Sequence, residues 1–167
     1  MIQHTLQYIF VFALLFGSGC SSSYDPAAEP FKASFPGTPV KNKKTITANG
    51  MTLIIDTTTY DFGSGAFLVT FSDYSPGHVQ RNGAAGVLAN VAKGGAAQVG
   101  GTITSQKAIS LGNHPGLEVQ FADAANGMDV RNRIYLVGDR LYQVMAVTKP
   151  STDRAKIDQF LDSFELK

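Results

Sequence analysis

The strongest pattern in the chain is an alternation of apolar and polar residues over positions 128–137. Such an alternation places every second side chain on the same face, which is typical of a β-strand with one buried face. Gly138-Asp139 follows as a two-residue turn, and the segment RLYQVMAVTK returns as the partner strand. The pattern therefore predicts an antiparallel hairpin. Its first strand divides into an apolar face (Met128, Val130, Ile134 and Leu136) and a polar face (Asp129, Arg131, Arg133 and Tyr135).

Five other stretches have the composition of strands. A short apolar run begins at Phe31, and a second hairpin joins residues 51–62 to residues 66–74 through Gly-Ser-Gly. Two later runs, over 101–110 and 115–123, are also predicted to be strands.

Helical spacing of apolar residues appears twice. The first predicted helix lies within residues 76–95 and ends at Gly94-Gly95. The second covers residues 151–164 and is capped by Ser151 or Thr152. Strands that are segregated from two covering helices indicate an α+β fold, an antiparallel β-sheet flanked by helices.

The charge pattern argues against a nucleic-acid-binding protein. The net charge is +1, from 14 basic and 13 acidic residues. The one small basic cluster, Lys41, Lys43 and Lys44, is interpreted as a solvated turn. There is no long basic run and no basic stripe with interleaved aromatic residues, so no nucleic-acid partner is predicted.

The N-terminal stretch combines a short apolar core with the single cysteine of the chain. The core YIFVFALLF has nine residues, whereas a spanning helix needs about 20. Gly17-Ser18-Gly19-Cys20 follows, and this order resembles the lipobox of bacterial lipoproteins. The resemblance implies that the signal is cut before Cys20, that Cys20 is lipidated, and that the protein is anchored to a membrane of the cell envelope, facing the periplasm. The alternative is an ordinary secretory signal with Cys20 incidental.

This interpretation divides the chain into three parts: residues 1–19 as a signal peptide, residues 20–30 as a polar lipidated tether, and residues 31–167 as one folded domain. A lone cysteine cannot form a disulfide within the chain, and a free thiol is a liability in an oxidising compartment. Acylation of Cys20 would remove that liability.

Three motifs of the domain resemble those of the PsbP-like superfamily. They are the opening Phe31-x-x-x-Phe35-Pro36, the late hairpin RNRIYLVGDRLYQVMAV, and the closing FLDSFEL. The resemblance implies an antiparallel sheet flanked by helices, the α/β/α sandwich of that superfamily, over residues 31–167. Its members include bacterial lipoproteins and are mostly non-catalytic, binding larger assemblies such as photosystem II or a Ran-type GTPase. No site residue can be carried over from it.

Candidate chemistry in the sequence is sparse. The predicted mature chain has two histidines, His78 and His114, far apart in sequence. Glu118 follows His114 on a predicted strand, where four positions span roughly 13 Å, so no metal site and no cofactor is predicted. Gly63-Ser64-Gly65 lacks the spacing of a nucleophile elbow.

One strip of the predicted hairpin could bind a partner. Arg131, Arg133 and Tyr135 share its polar face and could hold an acidic or polar partner. The alternative is a solvated strand face on which Asp129 and nearby acids pair with the arginines. The sequence thus favours a non-catalytic envelope lipoprotein that binds another envelope protein or a small ligand. Two alternatives stay open: an envelope hydrolase that uses His78 or His114, and a purely structural or stress-related envelope component.

Overall fold

The computed structural model describes residues 20–48, 51–123 and 126–167, and the side chains of residues 20–23, 48 and 51 are left out of that description. The predicted signal peptide, residues 1–19, lies outside the described residues. Within the described ranges, no helix has the length and apolar character needed to cross a membrane.

The described residues form ten strands and three helices. In chain order they are β1 (Cys20–Ser23), β2 (Phe31–Lys32), β3 (Val40–Ala48), β4 (Met51–Asp61), β5 (Gly65–Asp73), α1 (His78–Asn82), α2 (Ala84–Gln98), β6 (Thr102–Leu111), β7 (His114–Asp123), β8 (Met128–Val137), β9 (Arg140–Thr148), α3 (Arg154–Asp162) and β10 (Glu165–Leu166).

Eight of these strands form one antiparallel sheet, in the order β1-β3-β4-β5-β9-β8-β7-β6. The two halves of the sheet meet at β5 and β9, which pair from Gly65 with Thr148 to Asp73 with Arg140. β2 and β10 pair separately as a short two-stranded sheet. The predicted antiparallel sheet with flanking helices is confirmed. The described chain is richer in sheet than an α/β/α sandwich, because three short helices accompany the eight-stranded sheet.

The central strands of the large sheet are covered on both faces, whereas β3 and β6 near its edges are largely exposed. On one face α2 packs its Val87, Leu88 and Val91 against apolar residues such as Ile134 of β8. On the other face α3 and β2 contribute a second, aromatic-rich core that includes Phe31 and Phe160. Residues 141–148 of β9 are all buried, so the central strand has no solvated face. The late hairpin, whose alternation predicted one polar face, therefore lies in the middle of the domain.

The basic cluster does not form a turn. Lys41, Lys43 and Lys44 lie on β3, which pairs with β4 along its whole length. Lys41 Nζ lies 2.6 Å from Oε1 of the buried Glu29, and Lys43 Nζ lies 3.3 Å from Oδ1 of the buried Asp56. The turn prediction is wrong because all three lysines lie within a strand that is paired along its length, where Lys41 and Lys43 also neutralise buried acids from other segments.

The first predicted helix also ends later than expected. α2 continues through Gly94 and Gly95, both buried, to Gln98. The chain then leaves the helix through Gly100, whose φ of +59° is the left-handed conformation that glycine favours at a helix C-terminus. Packing of α2 on the sheet outweighs the low helix propensity of Gly94 and Gly95.

Residues 24–30 belong to the segment predicted as a tether, and they pack on the domain. Tyr24 makes an edge contact with Phe35, with ring centroids 6.0 Å apart. Glu29 is buried beside Lys41, and the backbone N–H of Lys167 donates to the carbonyl of Pro30 at 3.3 Å. The folded unit therefore includes the chain from Tyr24 onward. The lipidation of Cys20 stays a prediction.

Candidate functional site

The two arginines of the predicted binding strip are held by the chain's own carboxylates. Arg133 Nε donates to Glu118 Oε2 at 2.8 Å, and its Nη1 donates to Asp162 Oδ1 at 2.6 Å. Arg131 Nη2 lies 3.1 Å from Glu118 Oε1, and Arg131 Nη1 donates to Asp158. Asp158 and Asp162 are one helical turn apart on α3, so both face the same strand. The network therefore joins α3 to β8 and β7.

The protonation states of this network favour the ion pairs. Burial acts to raise the pKa of Glu118, but the hydrogen bond from Arg133 and the charges of both arginines outweigh it and hold that pKa below its usual value. A partner for the arginines would have to displace Asp158 and Asp162, whose side chains are 46% and 63% exposed. The alternative interpretation, in which nearby acids pair with the arginines, agrees with these contacts. The acids that pair with them here are Glu118, Asp158 and Asp162.

Tyr135 does not belong to an exposed strip. It is 5% exposed, and its ring lies parallel to that of Phe164, with centroids 5.9 Å apart and planes 3° from parallel. Burial is the main cause that raises its pKa. The prediction that Tyr135 offers an exposed contact is wrong, because the α3 region covers the face on which it lies.

The two histidines lie in unrelated places. His78 stacks on Tyr74 at the start of α1, with ring centroids 4.5 Å apart, and burial raises the pKa of Tyr74 to about 12. Asp139 nearby accepts hydrogen bonds from the backbone N–H groups of Val79 and Gly77, which lower its pKa. His114 begins β7, opposite Leu111.

Neither histidine lines either of two cavities found in the domain. Over residues 20–48, 51–123 and 126–167, no three His, Cys, Asp or Glu side chains come together as a metal ion would require. The smaller cavity, of about 200 Å³, lies beside Arg131 and Arg154. It is below the usual size of small-molecule pockets, roughly 300–1,000 Å³.

The larger cavity is a groove of about 720 Å³ beside α3, with a wall of aromatic rings. The rings contact one another in series: Phe35 with Phe160 at 5.2 Å, Phe160 with Phe67 at 4.5 Å, Phe67 with Phe62 at 5.1 Å, and Phe62 with Tyr60 at 6.4 Å between centroids. We call this set of five residues the aromatic wall. The rim opposite is polar and includes Lys149, Asp153 and Lys156.

Three separate segments supply the aromatic wall. Phe35 comes from the loop after β2, Phe160 comes from α3, and the other rings come from the β4–β5 turn region. Two glycines let the backbone approach these rings. A Cβ at Gly37 would lie 2.5 Å from the Tyr60 ring, and one at Gly65 would lie 2.8 Å from the Phe62 ring. Any other residue at either position would have to push a ring of the wall aside.

This groove is not predicted from the sequence. Its only direct signals are the aromatic residues crowded around the β4–β5 turn and the Phe-Pro pair after β2. The N-cap of α3, the helix that closes the groove, is Asp153 and not the predicted Ser151 or Thr152, and its Oδ1 accepts from the backbone N–H of Ala155 at 2.9 Å. Thr152 and Ser151 instead line the rim.

No family model matches the chain, and no curated protein matches it. Among solved structures it is similar to the solution structure of cyanobacterial PsbP (CyanoP) from Synechocystis sp. PCC 6803. That similarity has a TM-score of 0.55 at 10% identity, and it covers 95% of this chain and 99% of that one. A crystal structure from Bacteroides thetaiotaomicron VPI-5482 is matched with a TM-score of 0.39 at 8% identity, over 89% of this chain and 48% of that one. The similarity to CyanoP shows that the chain has a PsbP-like fold.

Proposed function

We propose that this chain is a lipid-anchored protein of a bacterial cell envelope, and that its PsbP-like domain is a non-catalytic binding or accessory module facing the periplasm. The observation that carries the proposal is the PsbP-like fold, similar over nearly the full chain to CyanoP. The lipobox-like Gly17-Ser18-Gly19-Cys20, with the only cysteine of the chain, supports the anchored part.

A binding role agrees with how the domain uses its charged groups. Glu118 is occupied by two arginines, and Asp139 is occupied by two backbone amides. A general acid or base needs to reach the substrate within hydrogen-bond distance, usually in a cleft. The alternative of a hydrolase that uses His78 or His114 has less support, because neither histidine lines the aromatic groove.

The anchored part is tested by expressing the full chain and its Cys20→Ala variant in a bacterial host. The intact mass and the membrane fraction of each are measured. We expect a wild-type mass that fits cleavage before Cys20 plus acyl chains, with the protein in the membrane fraction, and the loss of both in Cys20→Ala. Ser21→Ala is the matched control, since it changes the neighbouring residue and keeps the thiol.

A wild-type product that carries no lipid and stays in the soluble fraction would contradict the anchor. The accessory role is tested on the wild-type membranes by crosslinking followed by mass spectrometry. Specific adducts with one envelope protein, absent from the Cys20→Ala strain, are the expected result.

A further inference from the structure

The rim of the aromatic groove carries two lysines without a partner of opposite charge. Lys149 and Lys156 make no ion pair and no side-chain hydrogen bond within the described part of the chain. Three other lysines, Lys32, Lys41 and Lys43, do have such a partner, since each lies within 4.0 Å of a carboxylate.

The one acidic group on the same rim is engaged elsewhere. Asp153 uses its Oδ1 to cap the first turn of α3 through the N–H of Ala155. The mouth of the groove therefore has an excess of positive charge, with two ammonium groups against one carboxylate. That charge is complementary to a ligand with a single negative group.

Phe67 and Phe160 of the aromatic wall are buried, at 3% and 1% exposure, and they support the partly exposed rings of Phe35, Tyr60 and Phe62. The planes of Phe67 and Phe160 are 11° apart, whereas Phe35 is tilted by 48° from Phe160 and Phe62 by 48° from Phe67. A flat ring placed in the groove can stack on one of the partly exposed rings, Phe35, Tyr60 or Phe62, or meet it edge-on, and both contacts are favourable for aromatic pairs. An acyl chain gains burial there but none of these directional contacts.

We infer that the groove binds a small free aromatic carboxylate, with its ring system on the aromatic wall and its carboxylate at Lys149 and Lys156. The volume of about 720 Å³ suits a ligand of this size, since small-molecule pockets are roughly 300–1,000 Å³. Lysine ammonium groups on flexible stems suit a carboxylate at an open rim, where no fixed bidentate geometry is imposed. This inference does not depend on the lipid anchor.

The test is equilibrium dialysis of the full chain against 2-naphthoate, with protein-free buffer and detergent as the blank. Two comparison probes are 2-naphthalenemethanol, which keeps the rings and lacks the charge, and decanoate, which keeps the charge and lacks the rings. We expect saturable 2-naphthoate binding that weakens as salt is raised. We expect both comparison probes to bind several-fold more weakly.

Variants locate the binding. Replacing both lysines, Lys149→Gln with Lys156→Gln, should weaken 2-naphthoate binding by about tenfold, given the usual strength of two exposed ion pairs. Lys107→Gln, at an exposed lysine of β6 outside the groove, is the matched control and should leave the affinity unchanged. Ser64→Trp places a large ring at an exposed position of the groove lining and should block all three probes.

Three results would overturn the inference: no saturable 2-naphthoate binding, an affinity that the double lysine variant does not lower, or decanoate binding at least as tight as 2-naphthoate. The far-ultraviolet circular dichroism of each variant is recorded to show that it is folded. None of these outcomes bears on the anchor, which is tested by the mass of the Cys20 product.

Discussion

Arg133 and Glu118 lie directly opposite each other on β8 and β7, and their side chains bond at 2.8 Å with only 17% and 14% of their surfaces exposed. An ion pair removed from water to this extent depends on both charges, since either charge left alone would be costly to bury. The pair also holds the strands to α3, because Arg133 reaches Asp162 as well.

The first prediction concerns Glu118→Gln, which we expect to lower the free energy of unfolding at pH 7 by about 1.5–3 kcal/mol, the usual range for hydrogen bonds to charged groups. Because the folded-state pKa of Glu118 is below the unfolded value, its stabilisation is fully present above that value, which is 4.5. The stabilisation is lost as the pH falls below 4.5 toward the folded-state pKa. Urea unfolding of both proteins between neutral and acidic pH measures the difference.

Glu165→Gln is the control for this experiment. Its partner Lys32 is 3.7 Å away and both side chains are 66% exposed, so the change should stay within about 0.5 kcal/mol at every pH. A difference between wild type and Glu118→Gln that does not shrink on acidification would show that the charge of Glu118 is not what stabilises the domain.

The second prediction concerns Phe164, which packs against Phe31, Tyr135 and Tyr142 and is 4% exposed. Phe164→Ala should lower the free energy of unfolding by about 3–5 kcal/mol, because it removes a large buried side chain and leaves a cavity. Thermal or urea unfolding measures the loss. Val40→Ala, at an apolar residue that is 48% exposed, should change stability by less than about 0.5 kcal/mol.

The third prediction compares the same change, glycine to alanine, at two positions. A Cβ at Gly116 would lie 2.5 Å from Cδ1 of Tyr135 and 2.7 Å from the carbonyl oxygen of Ile134, so Gly116→Ala should destabilise the domain by about 1–3 kcal/mol. A Cβ at Gly86, on the exposed side of α2, would meet nothing within 4 Å. Gly86→Ala should therefore stabilise by about 0.5–1 kcal/mol, and equal effects in unfolding measurements would refute this assignment.

The fourth prediction concerns the turn between β8 and β9. Asp139 accepts from Gly77 N at 2.6 Å and from Val79 N at 2.9 Å, so it fixes the start of α1 from the other half of the sequence. Asp139→Ala should raise the hydrogen-exchange rates of these two amides in nuclear magnetic resonance experiments. Asp129→Ala, at an exposed acid of β8, should leave both rates unchanged.

Much of the fold follows from local patterns. The alternation over 128–137, the turn at Gly138-Asp139 and the Gly-Ser-Gly turn all lie in strands and turns of the structure. These predictions succeed because the period of a strand and the chemistry of a tight turn are encoded within a few residues. The helical spacing of apolar residues in α2 and α3 is likewise contained in a short window of sequence.

The errors concern what covers each element. Tyr135 alternates with apolar residues and is still buried, because a second core lies on its face. Lys41 and Lys43 lie in a strand paired with β4, and their acids, Glu29 and Asp56, come from other segments, so the local sequence shows neither the pairing nor the acids. The aromatic wall is assembled from three distant segments, so no single window of sequence contains it.

The pairing of β2 with β10, which we call the clasp, has a mechanical consequence. Lys32 and Glu165 lie opposite each other in the clasp, and the helix that precedes β10 carries Phe160 of the aromatic wall. Tension on the chain at Cys20 would first load the four residue pairs between β1 and β3 and then, beyond residues 24–30, the clasp. If Cys20 carries the predicted lipid, a pull at that end would therefore be transmitted to α3, and so to the shape of the groove.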